Sequence, residues 1–268
     1  MFHNNRTAAI GMVHVGALPG TPFNKKSIEQ ICEDAVKEAM LYKEKKFDGI
    51  ILENMHDRPY LKCSVGPEIT AAMTRVACEV KAKVTNDFPV GIQILAGANT
   101  EALAVAHVSG CEFIRAEGCV FAHVADEGWI EACAGNLLRE RKRIGAQNVK
   151  IWTDIQKKHS AHSVTADLTL EDWAHGADFF GIDGIIITGA ATGKPASKND
   201  LINAKNATKM PVYIGSGITP ENAQEFSLAD GWIIGSSVKF DSYWENPINP
   251  IALEKIVKAR DLANSSGG

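Results

Sequence analysis

Two neighbouring stretches decide the fold: Pro211-Val212-Tyr213-Ile214-Gly215-Ser216-Gly217-Ile218-Thr219-Pro220 and Asp230-Gly231-Trp232-Ile233-Ile234-Gly235-Ser236-Ser237. Each is a short apolar run, suited to a buried strand, that stops at a Gly/Ser turn. Thr219 and Pro220 read as an N-cap and a first helical position, so a helix is expected after the first turn. Glycine lets the backbone approach a ligand closely, and free amides at a helix start favour an anion. Paired turns after the last two strands form the phosphate grip of many (β/α)8 barrels. Gly215, Ser216, Gly217, Gly235, Ser236 and Ser237 are therefore the candidate phosphate-binding residues. The plain alternative is two tight turns that bind nothing.

Working outward, strand-like runs fall at about Ala8–Val15, Gly49–Asn54, Val90–Leu95, Glu112–Glu117, Val149–Ile155, Gly184–Thr188, Val212–Ile214 and Trp232–Ile234. Helical spacing of apolar residues lies between them, as in Ser27–Lys46 and Pro67–Thr85. Eight strands with crossover helices predict an α/β fold, a parallel eight-stranded (β/α)8 TIM barrel occupying residues 1–268 as one domain. A faint repeat agrees: Asp48-Gly49-Ile50-Ile51 recurs as Asp183-Gly184-Ile185-Ile186 and, loosely, as Asp230-Gly231-Trp232-Ile233. The rival is an open doubly wound sheet, but no G-x-G-x-x-G follows the first strand.

In a barrel the chemistry sits at the C-terminal strand ends. There the first run offers His14 and the second Glu53 and Asn54, with Asp57 in the loop beyond. A carboxylate at the end of a dry strand is suited to proton transfer, and an imidazole titrates near neutrality. Asp57 has Arg58 beside it as an obvious partner. On the third run Gly91 and Gln93 should face the axis. The fourth carries Arg115 and Glu117 on one parity, read as a buried pair at the mouth. The fifth ends in Asp154, the second carboxylate candidate, with Lys157, His159 and His162 beyond it. Thr188, Thr192 and Lys194 belong to a Gly-rich loop read as a lid over the mouth. That loop is no Walker motif, because its glycines are too close and Pro195 stands where a magnesium-binding hydroxyl belongs.

A net charge of −4 gives no footprint for nucleic acid, and no apolar run is long enough for membrane insertion. The irregular spacing of the six cysteines suggests free thiols in a reducing compartment. A cytoplasmic location is expected, or the mitochondrial matrix if a leader is missing; the first strand near Ala8 leaves little room for one here. No metal and no cofactor is expected. His159 and His162 could coordinate a metal with Asp154 or Glu53, and a metal-dependent hydrolase using His14, His159 and Asp154 ranks third among the readings.

The chain resembles the BtpA/SgcQ family. The matching stretches are Ile10-Gly11-Met12-Val13-His14-Val15-Gly16-Ala17-Leu18-Pro19-Gly20, Glu53-Asn54-Met55-His56-Asp57, Gln93 with Ala96-Gly97-Ala98-Asn99, Phe113-Ile114-Arg115-Ala116-Glu117-Gly118, Lys157-Lys158-His159-Ser160 and Ile214-Gly215-Ser216-Gly217-Ile218-Thr219. The resemblance implies a ribulose-phosphate-binding type of barrel. One cyanobacterial branch of the family is associated with photosystem I assembly and a bacterial branch with sugar-related gene clusters, so no reaction carries over.

The leading expectation is an enzyme acting on a phosphorylated sugar or related metabolite as an isomerase, lyase or hydrolase. Glu53 and Asp154 would move protons with His14, while Asn54, Asp57, Gln93, Arg115, Glu117, Thr188 and Lys194 would position substrate. The alternative is a non-catalytic assembly factor for a membrane complex, presenting Trp129, Trp232, Tyr243 and Trp244 as a partner patch. The expected partners are a phosphorylated small molecule and further copies of the chain.

Overall fold

The computed structural model describes residues 2, 6–157, 159–189 and 196–266. Its strands are β1 Ala8–His14, β2 Gly49–Glu53, β3 Val90–Gln93, β4 Phe113–Ala116, β5 His123–Ala125, β6 Gly128–Ile130, β7 Lys150–Ile155, β8 Ser160–Ala161, β9 Gly184–Ile187, β10 Val212–Ile214 and β11 Gly231–Ile234. The α-helices are α1 Ile28–Glu44, α2 Pro67–Lys83, α3 Asn99–Ser109, α4 Ala134–Arg143, α5 Leu170–Phe179, α6 Lys198–Ala207 and α7 Pro250–Ser266. Strands β1-β2-β3-β4-β7-β9-β10-β11 close in that order into an all-parallel barrel. The fold is the expected (β/α)8 barrel.

Local chemistry starts the helices. Ser27 with Gln30, Thr169 with Asp172 and Ser197 with Asp200 form reciprocal capping boxes, and Pro67 opens α2 at a position needing no amide. Helix α1 buries Ile31, Cys32, Ala35, Ala39 and Tyr42, one stripe at helical spacing.

Strand parity divides the core in two. Val13, Ile50, Leu52, Ile92, Ile185 and Trp232 face the helices, while Ile10, Met12, Ile51, Phe113, Trp152, Ile186, Tyr213 and Ile233 fill the barrel. Trp152 stacks on Phe113 and on Tyr213 with ring centroids 3.9 and 4.0 Å apart. Glycines on neighbouring strands leave room for these rings: a Cβ on Gly184 would stand 2.9 Å from Trp152, and one on Gly91 would run into Phe113. The interior of the lower barrel is therefore packed.

The Asp-Gly repeat has a structural cause. Asp48, Asp183 and Asp230, just before β2, β9 and β11, accept from Ala9 N, Ile151 N and Val212 N on the preceding barrel strand at 2.7–3.0 Å. Glu112 before β4 does the same for Val90 N at 2.8 Å. Each acid also meets a cation: Arg260, Arg141 with Lys150, Lys205 and Lys81 respectively. Every second barrel strand is thus stapled to the one before it at the N-terminal rim.

Two features depart from expectation. Pro220 opens no α-helix: Asn222 Oδ1 accepts from Thr219 N at 2.8 Å, and only a 3-10 turn, Ala223–Phe226, follows. Strands β5, β6 and β8 also form a separate antiparallel sheet that the sequence reading did not include. Among the described residues no helix is long and apolar enough to cross a membrane.

Candidate functional site

A cavity of about 480 Å³ opens at the C-terminal rim. The turns after β10 and β11 share one wall of it, lined by Gly215, Ser216, Gly217, Gly235, Ser236 and Ser237. A Cβ on Gly215 would collide with Ile186 and Thr188 and stand 3.3 Å from Arg115 Nη2, so only glycine fits there. Ser216 is buried, and its Oγ accepts from Gly189 N at 3.4 Å. Among the described residues no protein acceptor meets the amides of Gly217, Ser236 or Ser237. Ser236 begins a single 3-10 turn, Ser236–Val238.

Beside this wall, His14 and Glu53 end adjacent strands in register, with Nε2 and Oε2 3.6 Å apart. His14 Nδ1 lies 3.4 Å from the Trp244 carbonyl, which can only accept, so that nitrogen carries the proton. Tyr60 also lines the cavity; its phenol donates to Met55 O at 2.7 Å, and burial together with Glu53 pushes its pKa up.

Across the bowl, Gln93 Nε2 donates to Glu117 Oε1 at 3.3 Å and Gly97 N to Glu117 Oε2 at 2.9 Å. Lys157 Nζ sits 3.4 Å from Glu117 Oε1. Burial pulls the Lys157 ammonium down, but Glu117, Asp154 and Glu127 outweigh it and hold the pKa above the usual lysine value. The hairpin β5–β6 brings Asp126 and Glu127 to the same side.

Several expected roles change. Arg115 does not pair with Glu117; its Nε and Nη2 make a bidentate pair with Asp154 at 2.8 and 2.7 Å. Burial disfavours the guanidinium, and Asp154 more than offsets it, so Arg115 stays charged. Asp154, with its side chain 1% exposed and both oxygens engaged, does not line the cavity and suits positioning rather than proton transfer. Asn54 and Asp57 do not line it either. Asp57 accepts from Leu18 N and Asn54 Nδ2 at 2.8 Å, and Asn54 Oδ1 accepts from Leu95 N at 2.7 Å, tying three loops together. Burial raises the Asp57 pKa against those two bonds. Arg58 turns instead to Glu245 and the Trp244 ring. Thr188 is buried behind Gly215, and Thr192 and Lys194 lie outside the described residues.

His159 lines the cavity, whereas His162 turns away to meet His123 in a tilted contact and Trp173 edge-on, at 5.6 and 5.7 Å between ring centroids. Those two histidines do not converge. Among the described residues no three His, Cys, Asp or Glu side chains are arranged to hold a metal ion. The tryptophan patch does not assemble either: Trp232 is fully buried, its Nε1 donating to Phe226 O.

The sequence reading missed Tyr60, Asp126 and Glu127 and gave Lys157 no role. Val124-Ala125-Asp126-Glu127-Gly128-Trp129 carries a hairpin signal, a polar pair and glycine between strand formers, that would have found the acidic tip.

An all-parallel closed barrel of eight strands with a cavity at its C-terminal rim defines a (β/α)8 barrel protein. The chain belongs to the BtpA family, whose model matches residues 5–261. It is 46% identical to an uncharacterized mitochondrial protein of Caenorhabditis elegans (F13E9.13), over 96% of this chain and 94% of that protein. It is 35% identical to the photosystem I biogenesis protein BtpA of Synechocystis sp., over 93% and 86%. Among solved structures, 3-hexulose-6-phosphate synthase from Salmonella typhimurium superposes with a TM-score of 0.58 at 14% identity, over 96% and 100%.

Proposed function

We propose that this barrel is an enzyme acting on a phosphorylated sugar or related small metabolite by acid/base chemistry. The supporting observation is that both Gly/Ser turns and the His14–Glu53 pair line one cavity. The phosphate lies in the turns, held by backbone amides in the manner of other barrels of this type. Glu53 takes a proton from the substrate carbon or hydroxyl lodged beside it, and His14 shares that proton or orients the carboxylate. Arg115, fixed by Asp154, faces the substrate next to Gly215, with Thr188 behind that glycine. This inventory serves isomerisation, aldol-type cleavage or hydrolysis. Relatives and neighbours lend weight: the Salmonella neighbour is named a synthase of a hexulose phosphate.

A thermal-shift screen of sugar phosphates and nucleotides tests the reading, since a ligand that binds only the folded state raises the melting temperature. Phosphorylated compounds should raise it and their dephosphorylated parents should not. With the substrate found this way, Glu53→Gln should lower kcat by about 10²–10⁴-fold. Full activity of that variant would remove Glu53 from the mechanism.

The second reading, a scaffold for assembling a membrane complex, draws on the name of the Synechocystis relative and on the exposure of Trp129 and Tyr243. A scaffold gives no reason for a polar, open bowl, so it stands second. A mitochondrial location, drawn from the C. elegans relative's name, goes with either.

A further inference from the structure

We infer that the ligand is a phosphate ester carrying a protonated amine at the end remote from its phosphate. The inference rests on the phosphate reading of the two turns and adds the chemistry of the opposite wall.

Barrel order sets the geometry. In the ring of eight strands, β10 and β11 stand diametrically across from β3 and β4. A ligand anchored at the turns and spanning the bowl therefore presents its far end to Gln93, Glu117 and the hairpin that springs from β4.

That wall carries three carboxylates, Glu117, Asp126 and Glu127, against one lysine, Lys157. Glu117 as a carboxylate can only accept, so the Gln93 amide must turn its nitrogen towards it and its oxygen away. Gln93 is 2% exposed, lines the cavity, and its Oε1 meets no donor among the described residues. A buried acceptor left unmatched is costly and calls for a donor from the ligand. Asp126 and Glu127 add two carboxylates to which no ion pair is recorded among the described residues. The cations nearby are already matched, Lys157 by Glu117 and Arg115 by Asp154. A second anion there would meet like charge. A neutral hydroxyl could satisfy Gln93 but would leave the acidic excess standing. An ammonium answers both, donating to Gln93 Oε1 and balancing the carboxylates.

Calorimetric titration at pH 6.5 with glucosamine 6-phosphate, glucose 6-phosphate, 6-phosphogluconate and inorganic phosphate tests this. The amino ester should bind about tenfold or more tightly than the neutral one, and the carboxylate should bind weakest of the three esters. Equal affinities, a preference for the carboxylate, or an amino ester no tighter than inorganic phosphate would overturn the inference while leaving the phosphate grip standing. Binding of none of the four would overturn both. The Asp126→Asn/Glu127→Gln double variant, altered only at the hairpin tip, should retain its melting temperature and lose most of the discrimination between amino and neutral esters. Undiminished discrimination would remove the hairpin from the inference and leave Gln93→Leu as the deciding variant. Unchanged preference there too would end it.

Discussion

At the N-terminal rim, Asp48, Glu112, Asp183 and Asp230 each accept a strand amide and meet a lysine or arginine. At the C-terminal rim, Asp126 and Glu127 line a cavity and have no ion pair among the described residues, and Gln93 there keeps an unmatched oxygen. The same residue type thus closes the barrel at one end and is left able to meet a ligand at the other. The difference lies in the partners. A carboxylate with an amide and a cation fixed on it has little left to offer a ligand, whereas one turned into an open bowl has most of its lone pairs available.

Arg115–Asp154 crosses that division, a structural pair at the functional rim, and it should give the largest effect. Arg115→Met leaves Asp154 buried without its partner and should cost about 3–5 kcal/mol of stability in urea denaturation. A loss below about 1 kcal/mol would mean the pair is solvated. Asp183→Ala orphans Ile151 N and should cost about 1–3 kcal/mol, with ligand affinity unchanged in the folded fraction. Weakened binding in that variant would break the separation between the two ends.

The small antiparallel sheet of β5, β6 and β8 supplies a third test. Burial, helped by Lys157 and His162, lowers the His123 pKa to about 4, with Asp154 opposing. An exposed imidazole takes its proton near 6.5, so unfolding binds a proton in between and stability falls as pH drops through that window. Hydrogen exchange at β5 and β6 should quicken from pH 6.5 towards 4 in the wild type and change less in His123→Phe. A flat profile in the wild type would contradict it. Smallest of all should be the stability effect of Glu53→Gln, a near-isosteric change at a residue that faces the cavity. Its melting temperature should move less than that of Asp183→Ala.

The barrel could be read from the chain because its outward parity is a run of Ile, Val and Leu and its turns are glycine-rich. The Asp-Gly repeat was visible, yet its cause was not, since an acid before one strand acts on the strand before it. The wrong partner for Arg115 has the same origin. Glu117 shares its parity two residues on, but the guanidinium reaches sideways to Asp154 on β7, and lateral neighbours are not written in a sequence. The small antiparallel sheet escaped notice because its strands are only two or three residues long, too short for alternation to register. Pro220 misled because Asn222 answers the Thr219 amide and ends the turn early.

A crystal structure of the protein with the phosphorylated compound that stabilises it most tests the central claim. The account predicts phosphate oxygens at about 2.7–3.2 Å from the amides of Gly217, Ser236 and Ser237, with the rest of the ligand reaching past Glu53 towards Gln93. Phosphate bound elsewhere, with both turns facing only solvent, would contradict it.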